Sequence, residues 1–318
     1  MKENNYIVKA YPEKSWSISR VKTLKNCLRQ YYYTYYGSHR GWEMEVSEER
    51  KLAWRLKKLT NIWIYFGDII HEGIKNIIKF QSNNQGKEIN VDKFKEFIRL
   101  KLNILVKQSS KKNRDVEWDT YPKGNMLQEY YYDGKINKED IDEIKERIEQ
   151  CTENFFESKT FFDISNGNFK NIIEIDEGSF NHIFIHKVKV FSIIDMLYVD
   201  KNDNWVIVDW KTGKYDEENK DQILVYAIYV MEKYNIPINY IKGRVEYLYL
   251  AENYEYDFTK EDINNMKDRI NLELNVIDAL LEDKNINKPK NKESFLMCEE
   301  DYKCYICKYK RLCKKGGY

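Results

Sequence analysis

Two short apolar runs, each containing or preceding one aspartate, constrain the fold of this chain more than any other feature. Asp195 lies near the middle of the first run, within Ile-Ile-Asp-Met-Leu, and Asp209 directly follows Val-Ile-Val in the second. The polar stretch Lys201–Asn204 between the runs is a turn signal, so the pair predicts a β-hairpin. Lys211 is two residues beyond Asp209, and strand residues two apart project from the same face. The sequence therefore predicts two aspartates and a lysine gathered on one hairpin.

The two carboxylates carry the chemical prediction. A carboxylate inside an apolar run is costly to bury unless it meets a cation. Two neighbouring carboxylates repel each other unless a divalent metal neutralises them, and hard oxygen ligands select Mg²⁺ or Mn²⁺. Beside such a metal, Lys211 can orient or activate water and stabilise charge developing on a phosphate. The alternative is a surface Asp–Lys ion pair, which is common and stabilises little; the apolar surroundings of both aspartates favour the metal site.

The hydrophobic periodicity defines the fold class. Helical spacing extends over 18–35 and over much of 42–162, and the period of β-strands replaces it after residue 171. A strand at 241–250, between predicted helices at 218–234 and 260–282, completes the pattern. We therefore expect an α/β (α+β) fold, in which a mixed β-sheet core is flanked by helices and preceded by a helical insertion.

Composition excludes some classes of protein. The 318 residues include 53 basic and 52 acidic ones, a formal net charge of +1, which excludes a uniformly basic coat but allows a local one. Residues 14–40 contain basic residues, no acidic ones and many tyrosines, so a basic, tyrosine-rich surface is expected there. The amino-terminal stretch lacks a signal-peptide core, and the most apolar window, 61–78, is too polar to span a membrane. A cytoplasmic protein without membrane contact is expected.

The cysteines form a second candidate site. Cys304, Cys307 and Cys313 lie within ten residues, a spacing that in a reducing compartment indicates metal or cluster ligation rather than disulfides. A fourth ligand must come from Cys298 or from elsewhere, and the spacing alone favours zinc. Cys151 follows the helical pattern of an apolar face and is predicted to be a core residue.

Three polar side chains on predicted helices are further candidates. Gln222 and Tyr226 are four residues apart and share one helical face, from which both can hydrogen-bond to phosphate or water. Such a pair is more often an ordinary half-buried contact. His71 lies on an apolar helical face, where a lone histidine is usually a core residue. It becomes a credible third metal ligand only if the fold brings it to Asp195 and Asp209.

Taken together, these residues resemble the RecB-like branch of the PD-(D/E)XK nuclease superfamily, which includes the AddAB nuclease domains and the CRISPR-associated exonuclease of spacer acquisition. The resembling motifs occur in the family's order along the chain. They are the S-x-S-R helix (Ser17–Tyr36), the G-x-x-x-H motif (Gly67–His71), the catalytic motifs (Ile194–Asp195 and Val208–Gly213), the Q-x-x-x-Y motif (Gln222–Tyr226) and an iron–sulfur staple of one amino-terminal and three carboxyl-terminal cysteines. Each motif is weak alone, but five in order with the cysteines are specific.

The resemblance implies roles for individual residues. His71, Asp195, Asp209 and the backbone carbonyl of Trp210 would ligate Mn²⁺ or Mg²⁺, and Lys211 would be the catalytic lysine. Gln222 and Tyr226 would position the nucleic-acid strand. The family has one more acidic residue on the first strand, for which Glu174, Asp176 and Glu177 are candidates and Glu174 is preferred.

For the cysteines, the resemblance replaces zinc by a 4Fe-4S cluster and leaves zinc as the lesser alternative. The implied ligands are Cys27, Cys304, Cys307 and Cys313. Cys298 is then spare, and Cys151 stays in the core. The chain is expected to form a single nuclease unit of four segments. These are a basic amino-terminal helix with the first cluster cysteine (1–41), a helical subdomain with His71 (42–165), the catalytic core (166–297) and the iron–sulfur tail (298–318).

The implied function is a metal-dependent DNA nuclease, expected to be an exonuclease on single-stranded or frayed ends in DNA repair, recombination or CRISPR adaptation. The sequence contains no G-x-x-x-x-G-K-[ST] loop, so unwinding of duplex requires a partner helicase. A recombinase or a CRISPR-adaptation protein is a further possible partner. The alternative is a non-catalytic iron–sulfur module that binds nucleic acid and docks a partner helicase or recombinase; the intact trio of Asp195, Asp209 and Lys211 argues against it.

Overall fold

The computed structural model describes residues 9–84, 87, 89–111, 114–167, 169–175 and 181–313. The chain divides into two compact units, which are described separately. One is formed by the described parts of Met1–Leu59, Phe184–Val190 and Arg269–Tyr318. The other is formed by those of Thr60–Ile183 and Phe191–Asp268, and it contains the predicted hairpin.

The elements are numbered here along the described chain. The helices are α1 (Ile18–Asn26), α2 (Leu28–Tyr32), α3 (Glu48–Lys57), α4 (Ile62–Asn83), α5 (Val91–Ser109), α6 (Arg114–Thr120), α7 (Gln128–Asp133), α8 (Lys138–Glu157), α9 (Lys159–Asn166), α10 (Glu218–Tyr234), α11 (Lys260–Ala279), α12 (Asp301–Tyr305) and α13 (Lys310–Cys313). The strands are β1 (Ser15–Trp16), β2 (Leu59–Thr60), β3 (Met126–Leu127), β4 (Ile172–Ile175), β5 (His182–Ile185), β6 (Val188–Phe191), β7 (Met196–Val199), β8 (Trp205–Lys211), β9 (Ile241–Tyr247), β10 (Glu252–Asp257), β11 (Leu281–Asp283) and β12 (Lys288–Pro289).

A five-stranded sheet of order β10-β9-β8-β7-β4 forms the centre of the larger unit. β8 and β9 are parallel and are joined through α10, whereas the other neighbours are antiparallel. Two neighbouring strands that run parallel need such a crossover connection, because a tight turn reverses the chain direction and can join only antiparallel strands. This mixed sheet with flanking helices confirms the predicted fold class.

The predicted hairpin exists as β7 and β8, with Met196 opposite Val208. Asp200 closes its turn by accepting hydrogen bonds from the backbone N–H groups of Asn202 (2.8 Å) and Asn204 (2.9 Å). The first strand is shorter than predicted, since the run from 188 to 199 is divided into β6 and β7. Asp195 lies in the bend just before β7 rather than in the middle of a strand.

Both faces of the sheet are covered. On one face α10 packs so closely that a Cβ atom on Gly243 would lie 2.9 Å from its Ile223, and the same atom would lie 2.7 Å from Phe258, just after β10. On the other face, buried side chains of β7 and β8 join those of α4, α5, α8 and α9 in one apolar core. Cys151 is fully buried in this core, as predicted. Among the described residues, no helix has the length and apolar character needed to cross a membrane.

The smaller unit begins with β1, which pairs in parallel with β6. Ser17 caps α1 by accepting a hydrogen bond from the N–H of Arg20 (3.2 Å), as its position before the helix suggests. The single helix predicted over 18–35 is wrong: the backbone is extended at Cys27, which ends α1 and caps α2. A π-helical turn, Tyr33–Gly37, follows α2.

The tyrosines of this region do not form the surface that the sequence suggested. Tyr31, Tyr33 and Tyr36 are buried, and so is Arg20, whose guanidinium lies 4.0 Å from the centre of the Tyr35 ring. The alternation of basic and aromatic residues therefore builds part of a core, in which burial raises the pKa of Tyr31 and Tyr33. The prediction of a tyrosine-rich binding surface at 14–40 is wrong for these residues.

Candidate functional site

The hairpin brings the two aspartates together at one end of the sheet. Asp209 is 2% exposed on β8, and Asp195 stands next to it across the antiparallel ladder. The backbone N–H of Trp210 donates to Asp195 Oδ2 (2.9 Å), which orients that carboxylate. Sequence periodicity alone had predicted this juxtaposition.

α4 brings His71 to the same place. Its Nδ1 lies 3.2 Å from Asp195 Oδ1, and its Nε2 lies 2.8 Å from the backbone carbonyl oxygen of Trp210. Burial lowers the pKa of His71, but the neighbouring carboxylates of Asp195 and Asp209 outweigh it and raise the pKa to about 9. A third of the side chain remains exposed, so this end of the sheet is open to solvent. The fold thus brings His71 into contact with Asp195, and its role as a third ligand stays a prediction.

Lys211 connects Asp209 to α10. Its Nζ lies 2.7 Å from Asp209 Oδ2 and donates to Gln222 Oε1 (2.9 Å), and Gln222 Nε2 donates to the hydroxyl of Tyr226 (2.6 Å). Burial lowers the pKa of Lys211, but the charges of Asp209 and Asp195 raise it above its usual value. Lys211 is therefore held as a cation, and the two predicted α10 residues lie in one hydrogen-bonded row with it.

The two aspartates have opposite pKa shifts. Burial raises the pKa of both, but the charge and hydrogen bond of His71 reverse the effect at Asp195 and lower its pKa. At Asp209 burial, aided by the charge of Asp195, prevails over Lys211, so the pKa of Asp209 is raised. Pairs of carboxylates whose pKa values are shifted in opposite directions are typical of functional sites.

The oxygen donors of this cluster suit a divalent cation. Asp209 Oδ2 is buried and forms an ion pair with Lys211 Nζ (2.7 Å), which supplies the cation that a buried carboxylate needs. The carboxylates of Asp209 and Asp195 are also the hard oxygen donors that Mg²⁺ and Mn²⁺ prefer. Within the part of the chain that the structure describes, no three His, Cys, Asp or Glu side chains hold a metal-binding arrangement as they stand.

Trp210 is supported from behind by residues that the sequence did not single out. Its indole N–H donates to Glu246 Oε2 (3.0 Å), and Glu246 Oε1 accepts from the backbone N–H of Thr160 at the start of α9 (2.9 Å). Glu246 is 2% exposed, and burial raises its pKa. The sequence signal that could have identified Glu246 is an acidic residue between apolar residues on a second strand, since a buried carboxylate requires partners.

A second support comes from α8. Arg147 is 8% exposed and lies between the rings of Trp63 and Tyr249, with its guanidinium carbon 4.8 and 4.3 Å from their centres. Its Nη1 donates to the backbone carbonyl of Thr212 (2.7 Å), the residue after Lys211. No signal in the sequence identifies Arg147 among the many charged residues of that helix.

Glu174 lies elsewhere on the sheet. It accepts hydrogen bonds from the hydroxyls of Tyr229 (2.9 Å) and Tyr234, and it forms an ion pair with Lys233. Burial raises the pKa of Glu174, but these three partners outweigh it and lower the pKa. The other two candidates for the extra acid, Asp176 and Glu177, lie outside the described residues.

The smaller unit gathers five cysteines around one cavity. They are Cys27, Cys298, Cys304, Cys307 and Cys313, and Lys303 and Lys310 also line the cavity. Cys27 Sγ accepts a hydrogen bond from the N–H of Gln30 (3.5 Å), and Cys307 Sγ accepts one from the N–H of Tyr309 (3.4 Å). Sulfur-rich donor sets of this kind bind zinc or iron–sulfur clusters. The donor chemistry thus fits the group that the sequence suggested.

Burial and neighbouring sulfur atoms hold three of these cysteines in the protonated form. They raise the pKa of Cys298 and Cys313 to about 12 and that of Cys307 to about 11. A metal must therefore displace protons from the thiols on binding.

The fold and the hairpin site define a class of nuclease in which carboxylates and a lysine act on phosphodiesters. A sequence model of the PD-(D/E)XK nuclease superfamily matches residues 15–314, so the chain belongs to this superfamily. A search of curated proteins found no significant match. Membership indicates a metal-dependent nuclease acting on DNA, with divalent metals such as Mg²⁺ or Mn²⁺. The superfamily part of the predicted resemblance is confirmed.

Proposed function

We propose that this protein is a RecB-like exodeoxyribonuclease that acts on single-stranded or frayed DNA ends. The convergence of His71, Asp195, Asp209 and Lys211 at one solvent-open end of the sheet carries the proposal. Four chemically complementary residues from α4, the bend before β7 and β8 meet there, and a purely structural hairpin needs none of them. Their order along the chain matches the branch's motifs.

The residues have distinct roles in this proposal. His71, Asp195, Asp209 and the carbonyl oxygen of Trp210 would hold Mn²⁺ or Mg²⁺, and the bound metal would supply Lewis-acid chemistry for activating water and polarising the scissile phosphate. Lys211 stabilises negative charge on the phosphate, and its raised pKa suits a permanent cation rather than a base. Gln222 orients Lys211, and Tyr226 and Gln222 contact the strand. Glu174 remains a weaker candidate, because its oxygens already have three partners.

The cysteine cavity, in this proposal, holds a 4Fe-4S cluster on Cys27, Cys304, Cys307 and Cys313. The N–H···S hydrogen bonds to Cys27 and Cys307 support it, since such bonds stabilise ligating thiolates. Zinc is the lesser alternative. The four segments 1–41, 42–165, 166–297 and 298–318 then form one nuclease unit. A helicase, a recombinase or a CRISPR-adaptation protein is the proposed partner, in the cytoplasm.

Cleavage of labelled DNA tests the catalytic proposal. Wild type with Mn²⁺ or Mg²⁺ is expected to shorten single-stranded DNA from an end, and Asp209→Ala and Lys211→Ala each to lose at least about a hundredfold in rate. Asp203→Asn, in the exposed turn of the same hairpin, is the matched control and should cut normally. Wild type that binds DNA without cutting it would favour the non-catalytic binding module, and two mutants that cut like wild type would refute the assigned roles.

Anaerobic purification tests the cluster. Brown protein with iron and acid-labile sulfide supports the proposal. Colourless protein with stoichiometric zinc overturns it and leaves the nuclease proposal standing.

A further inference from the structure

Three tyrosines pack together beside the hairpin site. The ring centre of Tyr215 lies 4.9 Å from that of Tyr254 and 5.5 Å from that of Tyr247. Tyr247 is 1% exposed, whereas Tyr215 and Tyr254 are 45% and 37% exposed. The cluster therefore presents two aromatic rings to solvent on top of a buried third ring.

The register of the sheet places these rings on the face that carries the catalytic candidates. Lys211 is paired with Tyr247 across β8 and β9, and Asp209 with Val245. Val245 is in turn paired with Tyr254 across β9 and β10. Paired residues point to the same face of a sheet, so Asp209, Lys211 and Tyr254 share one face. Neighbouring strands are about 4.8 Å apart, which puts the backbone of Tyr254 about 10 Å from that of Asp209.

The buried ring holds the loop that carries Tyr215, between β8 and α10. The hydroxyl of Tyr247 donates to the backbone carbonyl of Asp216 (3.1 Å), and it accepts from the N–H of Asp216 (3.2 Å) and from Nδ2 of Asn219 (2.9 Å). Because Tyr215 is the residue before Asp216, its exposed ring is already positioned. A ligand that stacks on this ring therefore loses little free energy in ordering the loop.

The charges around the two rings favour a nucleobase over a phosphate. Glu252 accepts a hydrogen bond from the hydroxyl of Tyr254 (3.0 Å), and Glu217 is exposed two residues beyond Tyr215, so negative charge disfavours phosphate at the rings. Lys214 is exposed between the catalytic strand and Tyr215. A DNA strand can therefore keep its phosphates on the lysine side and turn a base onto the rings. Aromatic rings stack on bases of any sequence.

On the basis of the proposed nuclease function, we propose that Tyr215 and Tyr254 form a stacking platform for an unpaired base of the DNA strand that is cut at the hairpin site. The platform selects single-stranded or frayed DNA, because the faces of a paired base are covered by its neighbours in the duplex. Since the rings lie beside the reacting groups and not at them, stacking lowers KM more than it raises kcat.

Binding and cleavage of labelled oligonucleotides test the platform. Tyr215→Ala and Tyr254→Ala should each raise the Kd for single-stranded DNA about tenfold, measured by fluorescence anisotropy without added divalent metal, and should change the Kd for blunt duplex less than about twofold. With Mn²⁺, KM should rise about tenfold and kcat should change less than about twofold. Tyr215→Phe keeps a ring and should behave like wild type. Tyr240→Ala removes a similarly exposed tyrosine before β9 and is the matched control.

A single strand with one abasic position separates stacking from a general effect on the surface. For wild type, the Kd should rise about tenfold when the missing base is the one that stacks. The Tyr215→Ala/Tyr254→Ala double variant should bind this strand and the intact strand equally, because the same contact is already lost. Leucine variants repeat the comparison if an alanine variant does not fold.

The outcomes distinguish this platform from the nuclease proposal. Alanine variants that bind single strands like wild type would refute the platform, and cleavage by wild type would keep the nuclease proposal. An equal loss of affinity for duplex would also refute it, because the tyrosines would then contact something other than an unpaired base. If the tyrosines are needed for binding but wild type cuts no DNA, the stacking site is supported and the nuclease proposal fails.

Discussion

The hairpin site and the cysteine cavity both contain candidate metal ligands, but the two sites stabilise these ligands in different ways when no metal is bound. At the hairpin, Lys211 pairs with Asp209, and both His71 and the Trp210 N–H contact Asp195. In the cavity, the thiols of Cys298, Cys307 and Cys313 keep their protons because burial and neighbouring sulfur raise their pKa. A carboxylate site of this kind can fold without metal since protein cations pair its charges. A thiolate site acquires its charges only when metal replaces the protons.

The largest expected effect is on stability and separates the two sites directly. If Cys27, Cys304, Cys307 and Cys313 hold the proposed cluster, Cys307→Ala should lower Tm by about 8 °C, because losing the cluster opens a very long loop between Cys27 and the tail cysteines. Removing divalent metal with EDTA should lower Tm by less than about 2 °C, since weak Mg²⁺ binding adds little free energy. Calorimetry on wild type, Cys307→Ala and the exposed control Asp203→Asn measures both. Equal shifts at the two sites would contradict the comparison.

The next effect concerns Arg147, which supports the backbone beside Lys211. Arg147→Gln should lower kcat about tenfold with little change in the KM for DNA, because the Thr212 carbonyl loses its charged donor and Lys211 loses its position. Arg99→Gln is the matched control, because Arg99 is half exposed and pairs with Glu149 on the surface. Steady-state kinetics with a parallel Tm measurement check this. A fall in kcat that merely follows the fraction unfolded would show that Arg147 only stabilises the fold.

A smaller effect is expected at Trp210, whose backbone contacts Asp195 and His71. Trp210→Phe removes the indole N–H that bonds to Glu246 and should raise the Mn²⁺ concentration for half-maximal activity about threefold. Glu246→Gln should do the same, and the double variant should be no worse than either, because both changes remove one hydrogen bond. Trp205→Phe, at the start of the same strand and stacked near Tyr234, is the control. Fully additive effects would mean that the indole–carboxylate bond does not position the site.

The smallest effect concerns Glu174 and depends on pH. Its folded pKa is lowered by Lys233, Tyr234 and Tyr229, so the carboxylate contributes stability above its unfolded pKa and loses that contribution as pH falls through the folded value. Glu174→Gln should therefore cost about 0.5 kcal/mol at pH 7, a modest figure because Lys233 is partly exposed. Urea unfolding should show the deficit shrinking below pH 4.5. A deficit that stays constant down to pH 4 would indicate lost packing rather than lost charge, and unchanged cleavage by this variant would remove Glu174 from the list of catalytic candidates.

Local pattern was sufficient where neighbours in space are also neighbours in sequence. The hairpin, its turn, the N-cap at Ser17 and the buried Cys151 follow from periodicity and turn chemistry. The same reasoning failed at residues 18–35, where one helix was expected and a break at Cys27 was found. The prediction of a tyrosine-rich surface also failed, because Tyr31 and Tyr33 are buried. Amphipathic spacing does not show which tyrosine rings become buried by residues distant in the sequence.

By itself, the sequence determined the mixed α/β fold, the placement of Asp209 and Lys211 on one strand face, and the close spacing of Cys304, Cys307 and Cys313. The tertiary structure alone decided that His71 reaches Asp195, that Glu246 and Arg147 hold the backbone around Lys211, and that Tyr215 packs against Tyr254. The reason is physical. Spacing along a strand or helix sets which side chains share a face, whereas contacts between elements far apart in the chain depend on how whole faces pack, which no local pattern encodes.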